Sequence, residues 1–190
     1  MLPPTLTGRH VHLEPLHESH AADLATGADA EMFRYFPPPY APAGVDEAGM
    51  AEYIRNRTKG AVAFAIIDRA SGRAVGSTCY LDIREAHRGL EIGATFILPA
   101  LRGTRVNPES KLLMLANAFD SMGMVRVQLK CDARNVPSMR AIEKLGAVHE
   151  GVLRRHMIMG DGFVRDTVMY SITDAEWPTV RDRLHARIGG

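Results

Sequence analysis

The sequence has no uninterrupted run of the about 18 apolar residues that a membrane-spanning helix needs. It also has no excess of either charge, because its formal net charge is +1. That balance argues against binding to nucleic acid or a membrane surface through bulk electrostatics. The chain start, Met1–Pro4, lacks the charged flank and apolar stretch of a signal peptide. We therefore expect a cytoplasmic protein.

Cysteine is scarce, with only Cys79 and Cys131 in the whole chain. They are far apart and each lies in a strand-like run, so we expect two reduced, buried thiols rather than a disulfide. No Cys/His spacing is typical of a zinc site. His10 and His12 share a strand face, but no carboxylate or thiol pattern accompanies them, and we expect no metal.

The 190 residues are 46% apolar and 24% charged, as in an ordinary globular protein. There is no internal repeat or low-complexity tract. The nearest feature to a boundary is the proline-rich stretch Tyr35–Tyr40, where three prolines block helix and ladder pairing. Long linkers are absent, so we expect a single domain over residues 1–190.

Hydrophobic periodicity and turn residues predict seven strands and five helices. The strands are expected at Val11–Leu16, Ala61–Asp68, Ala74–Ile83, Leu90–Leu98, Val125–Cys131, Val152–Met159 and Val164–Ile172. The helices are expected at Ser19–Ala28, after Asp46, at Glu109–Met122, at Val136–Leu145 and at Ala175–Ile188. Consecutive antiparallel strands followed by crossover helices predict a mixed α/β sheet.

The segment Leu98–Glu109 joins a strand to a helix through a polar loop. Asn107 is a suitable N-cap and Pro108 a suitable first helical residue. The first-turn N–H groups have no partner within the helix, so with the helix dipole they favour a pyrophosphate. Arg102 and Arg105 could add charge-assisted contacts. An ordinary loop with two solvated arginines is the open alternative.

A second strand-to-helix segment, Asp132–Ala147, carries Asn135 as the helix cap, Pro137 in the first turn and Gly146 at the end. It is similar to the N-x-x-S-x-x-x-x-E-K-x-G-F/A pattern of the Gcn5-related N-acetyltransferase (GNAT) superfamily. Arg102–Asn107 resembles the Q/R-x-x-G-x-G/A pyrophosphate loop of the same superfamily.

The opening, Leu6–Leu16, and the tail, Glu150–Ser171, resemble the ribosomal-protein-alanine N-acetyltransferase branch of that superfamily. The resemblance implies a mixed, mostly antiparallel sheet of six to seven strands with a splayed central pair, flanked by helices on both faces. It also implies acetyl-CoA as co-substrate. The acyl-pantetheine would lie between Leu90–Leu98 and Val125–Cys131.

The resemblance implies a set of cofactor contacts. The strand backbone would bond the pantetheine, the loop N–H groups would cradle the pyrophosphate, and the second helix would face the thioester. In that order the residues are Phe96, Ile97 and Leu98; Arg102, Gly103, Thr104, Arg105, Val106 and Asn107; and Asn135 and Ser138.

The sequence departs from the family pattern in two places. Arg105 and Asn107 occupy positions where the pattern has glycine and glycine or alanine. Either the Arg105 side chain replaces backbone contacts, or cofactor binding is weakened. Ile142 stands where many members carry a tyrosine as general acid, so the proton donor to the thiolate would be Ser138, water or another group.

Glu91, at the start of the splayed strand, is the candidate base for an incoming amine. A surface residue with a water relay is the open alternative.

Tyr35, Phe36 and Tyr80 are assigned to the acceptor groove, although simple packing would equally explain the aromatic stretch. The expected function is acetyl transfer from acetyl-CoA to a primary amine, either a protein N-terminus or a small molecule. The alternative is an acyl-CoA-binding sensor. A monomer or homodimer is expected.

Overall fold

The computed structural model describes residues 4–38 and 40–189. The predictions for the first three residues and for Pro39 in the proline-rich stretch lie outside the described residues. Eight strands form one sheet, in the order β1-β2-β3-β4-β5-β6-β8-β7. The strands are β1 Leu6–Thr7, β2 Val11–Pro15, β3 Val62–Asp68, β4 Arg73–Arg84, β5 Gly89–Ile97, β6 Arg126–Asp132, β7 Val148–Ile158 and β8 Val164–Thr173.

The described α-helices and the strands follow one another along the chain in the predicted order. They are α1 Ala21–Ala25, α2 Glu47–Thr58, α3 Val106–Ala116, α4 Val136–Leu145 and α5 Trp177–Gly189. The predicted mixed, mostly antiparallel sheet is confirmed, but the predicted count of six to seven strands is too low. The missing strand is β1, whose two residues are too few to show an alternating pattern.

The start of α3 also differs from the prediction. Asn107 is not its cap, because the helix begins at Val106 and its N-cap is Arg105, without a side-chain cap bond. The Glu109 N–H already donates to the Arg105 carbonyl at 3.0 Å. Pro108 is tolerated at the third helical position, because an N–H there has no partner within the helix in any case.

The sheet separates two apolar cores because successive side chains of a strand point to opposite faces. On β3, Ala63 and Ala65 pack with α1 and α2, whereas Phe64 and Ile66 pack with α3 and α5. Helices therefore cover both faces, as predicted. Cys79 and Cys131 are free and buried, also as predicted.

The only parallel neighbours in the described sheet, β5 and β6, pair over three residues. Gly89, Leu90 and Glu91 face Arg126, Val127 and Gln128, and the pairing then ends. Just beyond it, β5 carries a bulge at Ala94, whose φ is +49°. The register against β4 shifts at the same place, between Ser77 and Cys79. Bulges bend the strand that carries them, so β5 leaves β6 and a cleft opens between them.

Glu109 joins the start of α3 to the start of β2. Its two carboxylate oxygens accept the backbone N–H groups of Arg9, His10 and Val11 at 2.6, 2.7 and 2.8 Å. The side chain is only 3% exposed. A buried carboxylate is tolerated here because three donors replace its water. The contact fixes the position of α3 relative to β2.

We expect Glu109→Gln to lower the free energy of unfolding by about 2–4 kcal/mol, because an amide NH2 would face backbone N–H donors and leave them buried and unpaired. Urea denaturation at neutral pH measures the change. Glu52→Gln, at an exposed position on α2, is the matched control and should change stability very little. Equal stability of the two variants would contradict the role of Glu109.

Candidate active site

The diverging strands β5 and β6 enclose a cleft of about 780 Å³. Its walls include the β5 segment Glu91–Ile97, the β6 segment Leu129–Asp132 and the first turn of α4. Beyond Glu91, β5 has a hydrogen-bonded neighbour on one side only. The backbone groups on its other edge therefore face the cleft, as at an edge strand.

Ten of the predicted site residues line this cleft, and five do not. Those in the cleft are Tyr35, Phe36, Glu91, Phe96, Ile97, Arg102, Gly103, Asn107, Asn135 and Ser138. Those outside its lining are Tyr80, Leu98, Thr104, Arg105 and Val106.

Tyr80 was predicted to contact the acceptor, and the structure corrects this. It is 2% exposed and packs edge-to-face against Phe64 in the core under α3. Its hydroxyl donates to the Met114 carbonyl at 2.6 Å and accepts from Asn117 Nδ2 at 3.1 Å. The side chain points from β4 toward α3 rather than into the cleft, so Tyr80 supports α3.

The loop before α3 uses two of its predicted phosphate donors internally, the N–H groups of Arg102 and Val106. The Thr104 hydroxyl donates to the Leu101 carbonyl at 2.7 Å and accepts from the Val106 N–H at 3.3 Å. Val106 itself is buried in the core. Arg105 lines a separate surface pocket with His10 and Arg187. The loop therefore presents mainly Arg102, Gly103 and Asn107 to the cleft.

The first turn of α4 follows the prediction. Asn135 Oδ1 accepts the Ser138 N–H at 3.1 Å, and Gly146 ends the helix with a φ of +101°. This cap fixes Ser138 at the cleft wall beside Cys131. Burial raises the pKa of the Cys131 thiol, and a hydrogen bond with Ser138 opposes that rise. Ile142, one turn further along α4, contributes an apolar surface to the cleft.

Glu91 lies where β5 and β6 part and is 2% exposed. Its Oε2 forms an ion pair with Lys130 Nζ at 2.8 Å and accepts a hydrogen bond from Gln128 Nε2 at 3.0 Å. Its Oε1 lies only 2.8 Å from the position that a Cβ on residue 93 would occupy. Glycine at 93 thus leaves room for the carboxylate. Glu91 is a paired group inside the cleft, which excludes the alternative of a surface residue.

The sequence analysis missed four cationic residues of the cleft: Arg57, Lys111, Lys130 and Arg165. Two of them lie on apolar helix stripes, where a helical pattern signals them. Arg57 follows Met50, Tyr53 and Ile54 on the buried face of α2. Lys111 precedes Met114, Leu115 and Ala118 at the same spacing on the core-facing side of α3.

Two buried arginines hold the loop that closes the other end of the cleft. Arg165 Nη1 donates to the Tyr35 carbonyl at 3.3 Å, and Arg57 Nη2 donates to the Tyr40 carbonyl at 3.2 Å. The Arg57 guanidinium also lies 4.5 Å from the Tyr40 ring centroid. The side chains of Tyr35 and Phe36 form a wall there.

Within the described ranges, no helix is long and apolar enough to cross a membrane. Nor do three or more His, Cys, Asp or Glu side chains in that part of the chain come together in a way that could hold a metal ion.

The sheet is mostly antiparallel and opens at one parallel strand pair, with a helix N-terminus at the end of the opening. A model of the acetyltransferase (GNAT) domain matches residues 10–148, and the chain belongs to this family. The uncharacterized N-acetyltransferase YnaD of Bacillus subtilis (strain 168) is 28% identical over 140 residues, which cover 73% of this chain and 81% of that protein. The GNAT resemblance predicted from sequence is confirmed.

Solved structures agree with this assignment. A GCN5-related N-acetyltransferase from Brucella melitensis is 30% identical, with a TM-score of 0.87 over 96% of this chain and 84% of that one. The ribosomal-protein-S5-alanine acetyltransferase from Vibrio fischeri has a TM-score of 0.68 over 92% of this chain and 99% of that one, at 17% identity. At that identity the likeness concerns the fold.

We expect Tyr80→Phe to lower the free energy of unfolding by about 1 kcal/mol, because its buried hydroxyl bonds to α3 would be lost. The KM for either substrate should stay unchanged. Tyr35→Phe is the comparison variant, since Tyr35 lines the cleft and its hydroxyl makes only a 3.4 Å bond to the Arg134 carbonyl. Urea denaturation and steady-state kinetics measure both. A raised KM in Tyr80→Phe without lost stability would restore Tyr80 to the acceptor site.

Proposed function

We propose that the protein transfers the acetyl group of acetyl-CoA to a primary amine by direct attack in a ternary complex. The observation that carries this proposal is the cleft beside the free edge of β5. It has cations at its α3 end and a paired carboxylate, Glu91, where β5 and β6 part. Membership of the acetyltransferase family supports the same reaction.

The cleft fits acetyl-CoA on two counts. The free backbone edge of β5 at Phe96 and Ile97 offers N–H and C=O groups of the kind that bond the two amides of a pantetheine arm. At the α3 end, Arg102 and Asn107 line the cleft beside a helix N-terminus, an arrangement that favours a pyrophosphate. When bound, acetyl-CoA supplies the activated acyl group.

Glu91 is proposed to receive the proton that the ammonium form of the acceptor must lose before its nitrogen can attack. Its Oε1 makes no hydrogen bond to any described residue, while Oε2 is held by Lys130 and Gln128. One carboxylate oxygen is thus oriented by the protein and the other remains for the amine or for a water that relays the proton. Backbone N–H groups near Ile97 would polarise the thioester carbonyl.

Ser138 is proposed to assist the departing thiolate. The Asn135 cap holds Ser138 at the cleft wall, and the neighbouring Ile142 has no acidic proton to donate. A hydroxyl that can rotate is able to donate toward the sulfur or to hold a water that does so. This role answers the absence of a tyrosine at position 142.

The acceptor is proposed to be either a protein N-terminal amine or a small amine, entering past Tyr35 and Phe36. The alternative of an acyl-CoA-binding sensor gains no support from the family match or from the relatives. Release of free thiol from acetyl-CoA, measured against a panel of amines and N-terminal peptides, tests the proposal. Tight acetyl-CoA binding with no turnover on any acceptor would argue for the sensor, and no acetyl-CoA binding would refute both.

We expect Glu91→Gln to lower kcat at neutral pH by about 100-fold, because the amide keeps a similar shape but cannot accept the proton. The affinity for acetyl-CoA should change far less. Glu85→Gln, at an exposed position near the start of β5, is the matched control. An unchanged kcat in Glu91→Gln would exclude the carboxylate as the base and leave a water relay independent of it.

We expect Asn135→Ala and Ser138→Ala to reduce kcat/KM more than replacement of any of the eight histidines. The first change removes the cap that orients the start of α4, at about 1 kcal/mol, and the second removes the hydroxyl itself. Steady-state rates on the best acceptor measure these effects. Unchanged rates in both variants would overturn the assignment of this helix turn to the site.

A further inference from the structure

Lys111 is a buried lysine in the wall of the cleft. It lies one turn after Asn107 on α3, and 5% of its surface is exposed. Its Nζ donates to Thr95 Oγ1 at 2.6 Å and to Thr78 Oγ1 at 3.1 Å. Both threonines belong to the strands beside the bulge, β5 and β4. An ammonium has three N–H donors, so one remains after these two bonds.

No carboxylate within the described ranges forms an ion pair with Lys111. The three carboxylates that line the cleft, Asp82, Glu91 and Asp132, are each paired with another cation. A buried ammonium without a counter-ion is costly. Burial accordingly lowers the pKa of Lys111 to about 7.

The charged groups around Lys111 do not relieve this cost. From β4 it faces the Cys79 thiol, whose pKa burial raises to about 12, so the thiol stays neutral. Arg57, from α2, also acts on Cys79, and Arg102 lines the same cleft from the loop before α3. These two neighbouring charges are positive, so an anion that enters the cleft would favour the charged form of Lys111.

Only part of the backbone at the start of α3 is available to an anion. The Val106 N–H donates to Thr104, Pro108 has no N–H, and the Glu109 N–H donates to Arg105. Among the described residues, this leaves the Asn107 N–H of the first turn and the loop N–H groups of Gly103, Thr104 and Arg105 without a partner. These groups carry partial charges but no formal positive charge. The glycines that would let a phosphate approach closely are absent, and Arg105 faces a different pocket.

We propose that Lys111 binds the pyrophosphate of the cofactor, and that its ammonium supplies the positive charge that the loop backbone does not. The proposal rests on the proposed use of acetyl-CoA. Lys111 lies one turn after Asn107 on α3, and both side chains line the cleft that Arg102 also lines. Asn107 and Lys111, four residues apart, then present one polar face of α3 to the ligand.

The proposal has a signature in proton binding. Without ligand, Lys111 is largely neutral above pH 7; an anion beside it favours the charged form and raises its pKa. At a pH between the pKa of Lys111 in the free protein and its pKa in the complex, binding therefore takes up close to one proton. Acetyl-CoA affinity is accordingly highest below pH 7 and falls as the pH rises through 7, with Kd increasing up to about tenfold per pH unit.

Calorimetric titration of the full chain with acetyl-CoA at pH 8, in two buffers of different ionisation enthalpy, measures the proton uptake. Titrations from pH 6 to 9 give the Kd profile. Coenzyme A without the acetyl group should give the same uptake, because it keeps the pyrophosphate. S-acetyl-pantetheine should give none. Uptake with S-acetyl-pantetheine would move the contact to the thioester carbonyl and overturn the assignment.

Lys111→Met and Lys111→Gln should abolish the extra proton uptake, flatten the pH profile and raise Kd at pH 6.5 about tenfold or more. The glutamine variant keeps a donor to the threonines, and the methionine variant fills the buried space. Lys144→Met, at an exposed position on α4, is the control and should behave like the original protein.

The outcomes separate this proposal from the one on which it rests. If the original protein does not bind acetyl-CoA, the proposed function itself fails. If it binds acetyl-CoA without proton uptake, or if folded Lys111 variants retain the uptake and the Kd of the original, Lys111 has only a structural role. A thermal melt of each variant verifies that it is folded.

Discussion

The early end of the pairing between β5 and β6 is the constraint on which the site depends. Three residue pairs join these strands, and the bulge at Ala94 then turns β5 away. Had the pairing continued, the β5 edge would be saturated and the cleft closed. The same divergence places Glu91 at the point of separation, where it is buried yet reachable. An incomplete ladder, normally a weakness of a sheet, here creates the space for an extended ligand.

Charge is distributed unevenly in that space. The carboxylates of the cleft are paired with cations, whereas Arg57, Arg102, Lys111 and Arg165 line it without a carboxylate partner among the described residues. Desolvation of unpaired cations costs stability, so the protein keeps this arrangement at the expense of some folding free energy. Arg102 and Lys111 come from the α3 side of the cleft, whereas Arg57 and Arg165 hold the aromatic loop at its other end.

Local rules predicted α4 correctly because its boundaries depend on its own residues, with Asn135 as the cap and Gly146 in the left-handed conformation. The start of α3 could not be predicted in this way. It is determined by Thr104 and by the distant contact of Glu109 with β2, and neither leaves a periodic signal. Tyr80 was misassigned because an alternating pattern separates the two faces of a strand but does not tell which face packs under α3. Arg57 and Lys111 were not predicted, although a charged residue on an apolar helix stripe is a detectable signal and buried charges are frequently functional.

The contact of Glu109 has a consequence for how this protein can vary. Its carboxylate bonds only main-chain N–H groups, which every amino acid except proline provides. Substitutions at positions 9 and 10 can therefore accumulate without breaking these bonds, and no compensating change at 109 is called for. Val11 is restricted for another reason, because its side chain is buried in the core beside α3. The hydrogen-bonded link between the start of β2 and α3 is thus carried by one side chain, and pairwise patterns of substitution among related chains would not reveal it.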